Sequence, residues 1–538
     1  MLLALSLLIP ATAMAQEWRY RVRPGDNLWD LAHKYVRDDV SWEQLRAHNN
    51  VEDPLRLVPG SVLSFPVAWL RRQPAHAVLV AVAGDITASR NGRFDDIFTP
   101  VEGQRLGAGT ALRTGPDASL TLEFADGSRL QLHGDSELHL DRLTSYGATG
   151  MVDTRLRLPR GRATSHVTRS RGPASHYIVE TPGMMSSVRG TEFRVGTDGA
   201  RSRSEVVGGV VQVSGGNRSV LVHKGHGTVL GEDGRPQPPV KLLPAPDLSA
   251  WPALVERMPA TLSWPAIEGA VAYRLQASVH PDFRTLVLDR VSEGPQAAFD
   301  VRSEGDIHVR VRAIDRHGLE GLDAATTVQV AAQPAPPFAI SPAMGGSVAG
   351  PRPRLRWTES EAPGIRYRVQ LDAAGNGFDA PLASTGNLRR TEYRVPSDLP
   401  PGEYVWRVGA TSDEGKEGPW SDPIPFTLLP PGEGPGVEAA AANGALEVRW
   451  RQGDEGQQYR FQLSRKPDFS VVEAEHLLED NGIVLPGLRG GTWYMRVRAV
   501  DSDGYEHPWG QVQMVKLGCV PCRILAGAGG AALLLLAL

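Results

Sequence analysis

The stretch RVRPGDNLWDLAHKY, from Arg21 to Tyr35, decides the fold of the N-terminal segment. Its first residues continue an alternating run (YRVR, 20–23) that is typical of a strand, and Pro24-Gly25 then turns the chain. Asp26 or Asn27 can cap a following helix. The apolar residues of that helix recur at the spacing of one helical face: Leu28, Leu31, Ala32 and Tyr35. The stretch predicts a short amphipathic helix packed on a strand.

The residues that follow predict a second helix and a returning strand. Ser41 and Gln44 have the spacing of a capping box, which places Trp42 and Leu45 on the inner side of the second helix. The run VPGSVLSFP (58–66) reads as a strand. The predicted order is therefore βααβ.

Together, YRVRPGDNLWDLAHKY, SWEQLRAHNN and PLRLVPGSVLSFPV resemble a LysM domain over residues 17–68. That family binds glycans containing N-acetylglucosamine, mostly peptidoglycan or chitin, in a groove between the loop after the first strand and the loop after the second helix. The resemblance implies eight groove residues: Gly25, Asp26, Asn27 and Leu28 on one side, and Asn49, Asn50, Val51 and Pro54 on the other. The alternative for Asp26, Asn27 and Asn49 is that they are caps and turn formers. A single module of this kind is expected to bind weakly, because avidity needs several.

The composition limits what surrounds this segment. The chain has 538 residues and a formal net charge of -4, which argues against a dedicated nucleic-acid binder. Residues 1–15 predict an export signal ending in Ala13-Met14-Ala15. Because the only cysteines are Cys519 and Cys522, the domains must be stabilised by buried cores rather than disulfides.

The apolar tail, residues 518–538, leaves several interpretations open. It is short for a spanning helix, so it is either a truncated anchor or a segment that dips into a membrane. Cys519 and Cys522 suggest a local disulfide or an inert pair rather than redox chemistry.

From about residue 76 the sequence becomes short alternating runs separated by turn signals, which predicts β-sheet. In SLTLEFADGSRLQLHG (119–134), Asp126-Gly127 suits a hairpin turn. The run ETPGMMSSVRGTEFRVGTDG (180–199), with its flanking strands, resembles a FecR-type domain over residues 76–240. The family's name-giving regulator has a cytoplasmic segment and a membrane helix before this domain. Here a signal and a LysM-like segment precede it, so the resemblance implies an extracytoplasmic domain for protein contacts.

Arg189 and Glu192 are the candidate partner-binding residues of that FecR-type domain. The alternative is that they form a structural ion pair beside a glycine turn.

Proline-rich linkers separate three copies of a repeat, in which Trp264, Trp357 and Trp450 recur every 93 residues. Each Trp precedes a Tyr-Arg-x-Gln strand and a later strand such as HVRVRA (308–313). The copies resemble fibronectin type III sandwiches, and we name them module 1 (250–333), module 2 (335–430) and module 3 (432–517). Module 1 lacks the late aromatic residue of the other two copies, Trp420 and Trp509.

Alternation in HVRVRA places Val309 and Val311 on one face and Arg310 and Arg312 on the other. We therefore expect a strand with one apolar face against the core and one face toward solvent.

The sequence contains no catalytic motif that we recognise and requires no cofactor, and His223 and His226 lack further ligands at a spacing that suits a metal. The expected fold class is a mainly β multidomain chain with a small α+β segment at its N-terminus. The expected function is a noncatalytic envelope protein, in the periplasm or cell envelope, that binds peptidoglycan and presents its other domains to envelope proteins. Membrane contact would come through the tail. One alternative is an envelope sensor or regulatory subunit, and another is an accessory subunit of a wall hydrolase.

Overall fold

The computed structural model describes residues 16–518, except for 200, 433, 443, 444, 454 and 455. The predicted signal and the tail with Cys519 and Cys522 lie outside the described residues. The chain divides into two compact units, Met1–Ala332 and Gln333–Leu538, called units 1 and 2 below. Strands dominate both, which confirms the predicted mainly β fold class.

The N-terminal segment has the predicted βααβ order. Its elements are β1 (Glu17–Arg21), α1 (Leu28–Tyr35), α2 (Trp42–Asn49), β2 (Val62–Pro66) and a 3-10 turn (Val67–Trp69). The two strands pair antiparallel, with Trp18 opposite Phe65. Helix α1 buries the four apolar residues that its periodicity predicted. Helix α2 begins with the predicted capping box between Ser41 and Gln44.

The core of the N-terminal segment continues into the next domain. Tyr146, Met151 and Ala174 pack in the same apolar cluster as Trp18 and Phe65. The backbone of Arg71 also donates to the carbonyl of Tyr35 at 2.9 Å. The segment is thus seated on its neighbour rather than attached only by a linker.

The next domain, called the barrel below, consists of sheets that close on themselves. The long strand Val152–His166 connects two sheets of the barrel. Its first half pairs with His176–Thr181 in one sheet, and its second half pairs with Glu192–Thr197 in the other. The predicted hairpin at Asp126-Gly127 joins two antiparallel strands. The strands of the barrel are Arg72–Pro74, Ala77–Ala83, Ile86–Ser89, Ile97–Phe98, Arg105–Leu106, Ala111–Thr114, Ser119–Glu123, Arg129–Leu132, Glu137–Tyr146, Val152–His166, His176–Thr181, Met184–Val188, Glu192–Thr197, Ser202–Gly208, Val210–Gly215, Arg218–His223, His226–Val229 and Val240–Lys241, with a 3-10 turn at Gly147–Thr149.

Modules 1 to 3 each contain two sheets around a core that includes the repeating Trp264, Trp357 and Trp450. The strand pairs are antiparallel except for one parallel edge pair in module 1 and one in module 2. The strands of module 1 are Leu254–Val255, Ala260–Ser263, Ala270–Ser278, Leu286–Ser292, Gln296–Phe299, Gly305–Asp315 and Ala324–Val330. Those of module 2 are Ala339–Ser341, Gly346–Ala349, Arg354–Trp357, Arg366–Ala373, Ala383–Leu388, Glu392–Arg394, Gly402–Thr411, Glu417–Trp420 and Ile424–Leu429. Those of module 3 are Val437–Ala442, Ala445–Trp450, Gln458–Ser464, Ala474–Leu478, Gly482–Pro486, Gly491–Val500 and Gln513–Leu517.

The expectation of a solvent face on the strand HVRVRA was wrong for module 1. Val309 and Val311 are buried as predicted, but Arg312 is also buried, at 1% exposure, and Arg310 is half-buried. The reason is that the barrel covers this face, for example through the hydrogen bond of 3.4 Å from Arg310 Nη2 to Gln131 Oε1.

Across the described ranges within 16–518, the structure has no helix with the length and apolar character required to span a bilayer.

Candidate functional site

The two loops implied as the groove meet in the structure. The backbone N–H of Leu28 donates to the carbonyl of Pro54 at 2.8 Å, which ties the loop after β1 to the loop after α2. Gly25 lies exposed at the turn with φ of +89°, a conformation that glycine adopts without strain. The structure therefore brings the residues from both sides of the sequence pattern into one region.

Asp26 is engaged within its own loop. Its Oδ2 accepts from the hydroxyl of Tyr20 at 2.8 Å and from the N–H of Arg23 at 2.7 Å. Burial, together with the hydrogen bond and charge of Asp26, raises the pKa of Tyr20 to about 12. The carboxylate thus fixes the turn between β1 and α1.

Asn27 and Asn49 are also engaged. Asn27 is the N-cap of α1, and its Oδ1 accepts from the N–H of Asp30 at 2.9 Å. The amide of Asn49 donates to the carbonyls of Leu45 and Ser64 and accepts from the N–H of Ser64 at 2.7 Å, which joins the end of α2 to β2. These are the bonds that caps and turn formers make.

We expect Asn49→Ala to destabilise the N-terminal segment by about 2 kcal/mol, because the N–H and carbonyl of Ser64 lose their partner. Asn27→Ala should cost about 1 kcal/mol, the usual effect of a lost N-cap. Hydrogen exchange of α2 peptides in the full chain measures the change for Asn49→Ala, and that of α1 peptides measures it for Asn27→Ala. Unaltered exchange in Asn49→Ala, accompanied by loss of glycan binding, would instead make Asn49 a ligand contact.

The remaining groove positions present backbone and apolar groups. Asn50 ends α2 in the left-handed conformation, with φ of +51°. Val51 and Pro54 are half-buried, and the adjacent Leu55 is 73% exposed. Leu28, by contrast, is fully buried and supports the loop from beneath.

Sequence reasoning did not single out Trp29, which is 57% exposed on α1 and stacks on His33 with ring centroids 5.9 Å apart. The sequence does contain a sign of this exposed ring, because a large aromatic residue stands at a position on the polar face of the amphipathic helix. Aromatic rings of this kind can pack on sugar faces.

The two candidate partner-binding residues lie at one end of the barrel. Arg189 is exposed in the turn before the strand Glu192–Thr197. The carboxylate of Glu192 lies 3.6 Å from Nδ1 of His166. Glu192 and His166 line an open pocket of about 320 Å³, together with Arg129.

A buried ionic network joins the barrel and module 1 within unit 1. Glu320 is 4% exposed, and its carboxylate contacts Arg162 at 3.1 Å, Arg274 at 2.9 Å and Arg312 at 3.1 Å. Although burial raises the pKa of Glu320, these guanidinium groups hold it well below its usual value. On the barrel side, burial raises the pKa of Glu205.

Comparisons with known families agree with this architecture. The model of the LysM domain family matches residues 20–66, and that of the FecR protein family matches residues 110–212. The chain contains a LysM domain and a FecR domain. Domains of both types are typical of envelope proteins and are typically not catalytic. No curated protein matches the chain.

Solved structures with local similarity include a candidate anti-sigma factor from Parabacteroides distasonis. It has 15% identity and a TM-score of 0.21, and the match covers 24% of this chain and 59% of that one. The chain thus spans less than two thirds of that relative.

Two further similar structures are the FN1–FN3 domains of chicken CNTN1 and fibronectin(III)-like modules of Clostridium thermocellum CbhA. The CNTN1 match has 15% identity and a TM-score of 0.20, and it covers 51% of this chain and 98% of that one. The CbhA match has 13% identity and a TM-score of 0.17, and it covers 36% of this chain and 99% of that one. The sandwich architecture of modules 1 to 3 rests on their own strand pairing.

Proposed function

We propose that this chain is a noncatalytic cell-envelope protein that binds peptidoglycan through its LysM domain and presents the FecR domain and modules 1 to 3 to envelope proteins. The observation that carries the proposal is the junction of the two groove loops at Leu28 and Pro54. It brings together the two sequence segments that the LysM resemblance implies.

The hydrogen bonds indicate which groove residues build the loops and which groups are left to bind the glycan. Because Asp26, Asn27 and Asn49 are used to build the loops, the glycan is bound mainly by backbone groups around Gly25 and Asn50. Val51 and Pro54 supply apolar contact for the acetamido methyl group and the sugar ring. Protein partners contact the FecR domain around Arg189 and Glu192, which are accessible at the end of the barrel.

Pro54→Glu is expected to reduce co-sedimentation of the full chain with purified peptidoglycan sacculi at least fivefold, because it places a charge where the groove needs an apolar surface. The matched control is Ala68→Glu, which adds the same charge at an exposed position in the 3-10 turn that follows β2. This control should pellet like the parent chain.

If Pro54→Glu and Ala68→Glu pellet equally with the sacculi, the groove is not the glycan-binding site. Turnover of labelled peptidoglycan by the purified parent chain would contradict the noncatalytic role. Circular dichroism of each variant establishes that the comparison is between folded proteins.

A further inference from the structure

Modules 1 to 3 present the same sheet face, built on the same register. The Tyr of each Tyr-Arg-x-Gln strand pairs with an Ala of the late strand: Tyr273 with Ala313, Tyr367 with Ala410, and Tyr459 with Ala499. Equivalent side chains therefore occupy equivalent places on the three faces.

Each face contains an arginine held by a glutamine and a phenylalanine. Nε of the arginine donates to the glutamine in Arg310–Gln276 at 2.8 Å, Arg407–Gln370 at 2.9 Å and Arg496–Gln462 at 2.9 Å. The same guanidinium groups lie over Phe283, Phe378 and Phe469 at 4.2 to 4.3 Å from the ring centroids. This phenylalanine has a positive φ in all three copies, which shows how closely the loops repeat.

Each face also pairs the arginine of Tyr-Arg-x-Gln with a glutamate from the segment that follows the late strand. These pairs are Arg274–Glu320 at 2.9 Å, Arg368–Glu417 at 2.5 Å and Arg460–Glu506 at 3.0 Å. Three residues after that glutamate the copies diverge, since module 1 has Asp323 where modules 2 and 3 have Trp420 and Trp509.

The two tryptophans are stacked against arginines of their own modules. Trp420 lies 4.3 Å from Arg368 and 4.8 Å from Arg407, measured from guanidinium carbon to ring centroid. Trp509 lies 4.2 Å from Arg496 and 4.3 Å from Arg498. The aromatic residue satisfies these cations within the module.

Asp323 instead faces the FecR domain. Its Oδ1 lies 2.8 Å from Nε of Arg312, an ion pair without hydrogen-bond geometry, and 3.7 Å from Nη1 of the barrel's Arg194. Arg194 is 4% exposed, and its Nη2 donates to the carbonyls of Glu320 and Gly321 at 2.9 and 2.6 Å. A buried arginine from the barrel thus enters the late loop of module 1 at the position where the other modules carry an indole.

Further bonds extend this contact along the sheet. Thr121 Oγ1 donates to the carbonyl of Arg284 at 2.7 Å, and Gln131 Nε2 donates to the carbonyl of Phe283 at 2.5 Å. Arg162 of the barrel pairs with Asp289 at 3.3 Å. These contacts are polar or charged, so specificity depends on which charges meet.

We propose that module 1 is a dedicated cap for the charged face of the FecR domain, and that Asp323 determines which of the three modules takes this role. A carboxylate at this position neutralises Arg194 and Arg312 together. An indole there would fill the space and remove the carboxylate that pairs with buried Arg194, which excludes modules 2 and 3 from the site. A protein that binds the capped FecR domain must therefore use its other faces.

Hydroxyl-radical footprinting of the full chain tests the cap. In the parent chain His133 of the barrel and Leu319 of module 1 are shielded by the contact, at 3% and 2% exposure, and Leu319 lies directly against the barrel residue Gly227. Phe193 and Phe299 lie fully buried in the barrel and module cores. Asp323→Trp is expected to raise modification of His133 and Leu319 at least threefold and to leave Phe193 and Phe299 unchanged.

Two further variants make the result decisive. Asp323→Asn keeps the shape, removes the charge and should give a smaller rise in the same direction. The reciprocal change Trp420→Asp should leave His133 and Leu319 shielded. Continued shielding of both residues in Asp323→Trp overturns the proposal. So does modification of Phe299 in both Asp323 variants, since Asp323 would then be required for folding of the module and not for its docking.

Discussion

Glu320→Gln is expected to destabilise unit 1 by about 3–5 kcal/mol, the usual cost of removing one partner from a buried ionic group. The carboxylate is shared by Arg162, Arg274 and Arg312, and only Arg162 comes from the barrel. Glutamine keeps the size of the side chain but leaves three buried cations with less counter-charge. The loss should therefore affect module 1 and the FecR domain together.

Glu417→Gln in module 2 is the matched control for this change. Glu417 occupies the same place in the repeat and contacts Arg368 at 2.5 Å, but its side chain is 62% exposed. An exposed pair of this kind contributes at most about 1 kcal/mol. Hydrogen exchange of peptides from both units along a urea series gives the change in the free energy of unfolding of each unit in each variant. Equal, small losses in the two variants would mean that water screens the network around Glu320.

The parts of the fold that the sequence predicted are those determined by local interactions. The βααβ order follows from the caps at Asn27 and Ser41 and from one buried face of α1, and each of these features depends only on residues close in sequence. The repeat was visible because Trp264 and its two counterparts recur at a constant spacing.

The burial of Arg312 was not predictable in the same way. Alternation separates two faces of a strand, but it does not reveal what covers the second face. Here the cover is the barrel, whose Arg194 lies more than a hundred residues earlier in the chain. The one local sign was the absence of the late aromatic residue at position 323, which becomes meaningful only when the contact with the barrel is seen.

The sequence predicted where the candidate groove lies, but not what each of its side chains does. An asparagine that caps a helix and one that binds a sugar offer the same donor and acceptor, so residue type does not distinguish them. For Asn49 the deciding partner is Ser64, which lies on β2 and is brought near only by folding.

Lowering the pH from 7 to 4 should weaken the contact between the FecR domain and module 1 through His133. This side chain is buried, with Nε2 at 2.9 Å from Thr164 Oγ1 and Nδ1 at 3.5 Å from Asp289. Burial lowers the pKa of His133 to about 4, an effect that Arg162 and Arg310 reinforce and Asp289 partly opposes. In the unfolded chain a histidine has a pKa near 6.5.

Between these two pKa values the unfolded chain binds a proton that the folded chain does not. Stability is therefore lost as the pH falls from about 6.5 to about 4, by up to about 3 kcal/mol. Glu205 acts in the opposite direction, because its raised pKa lets the folded chain bind a proton first. Asp289 and Glu320, whose pKa values are lowered, begin to contribute only near the acid end of this range.

His133→Gln separates the histidine from these carboxylates, because glutamine can still donate to Thr164 and does not titrate. Urea unfolding of unit 1, followed by hydrogen exchange at pH 7 and pH 4.5, gives the stability difference between parent chain and variant at each pH. Carboxylates that His133 does not contact contribute equally to both chains, so the difference reports His133 together with Asp289, whose pKa the histidine helps to lower. The difference should move by about 2–3 kcal/mol in favour of the variant on acidification. A difference that stays constant would mean that water reaches the imidazole, and therefore that module 1 does not keep this face of the FecR domain closed.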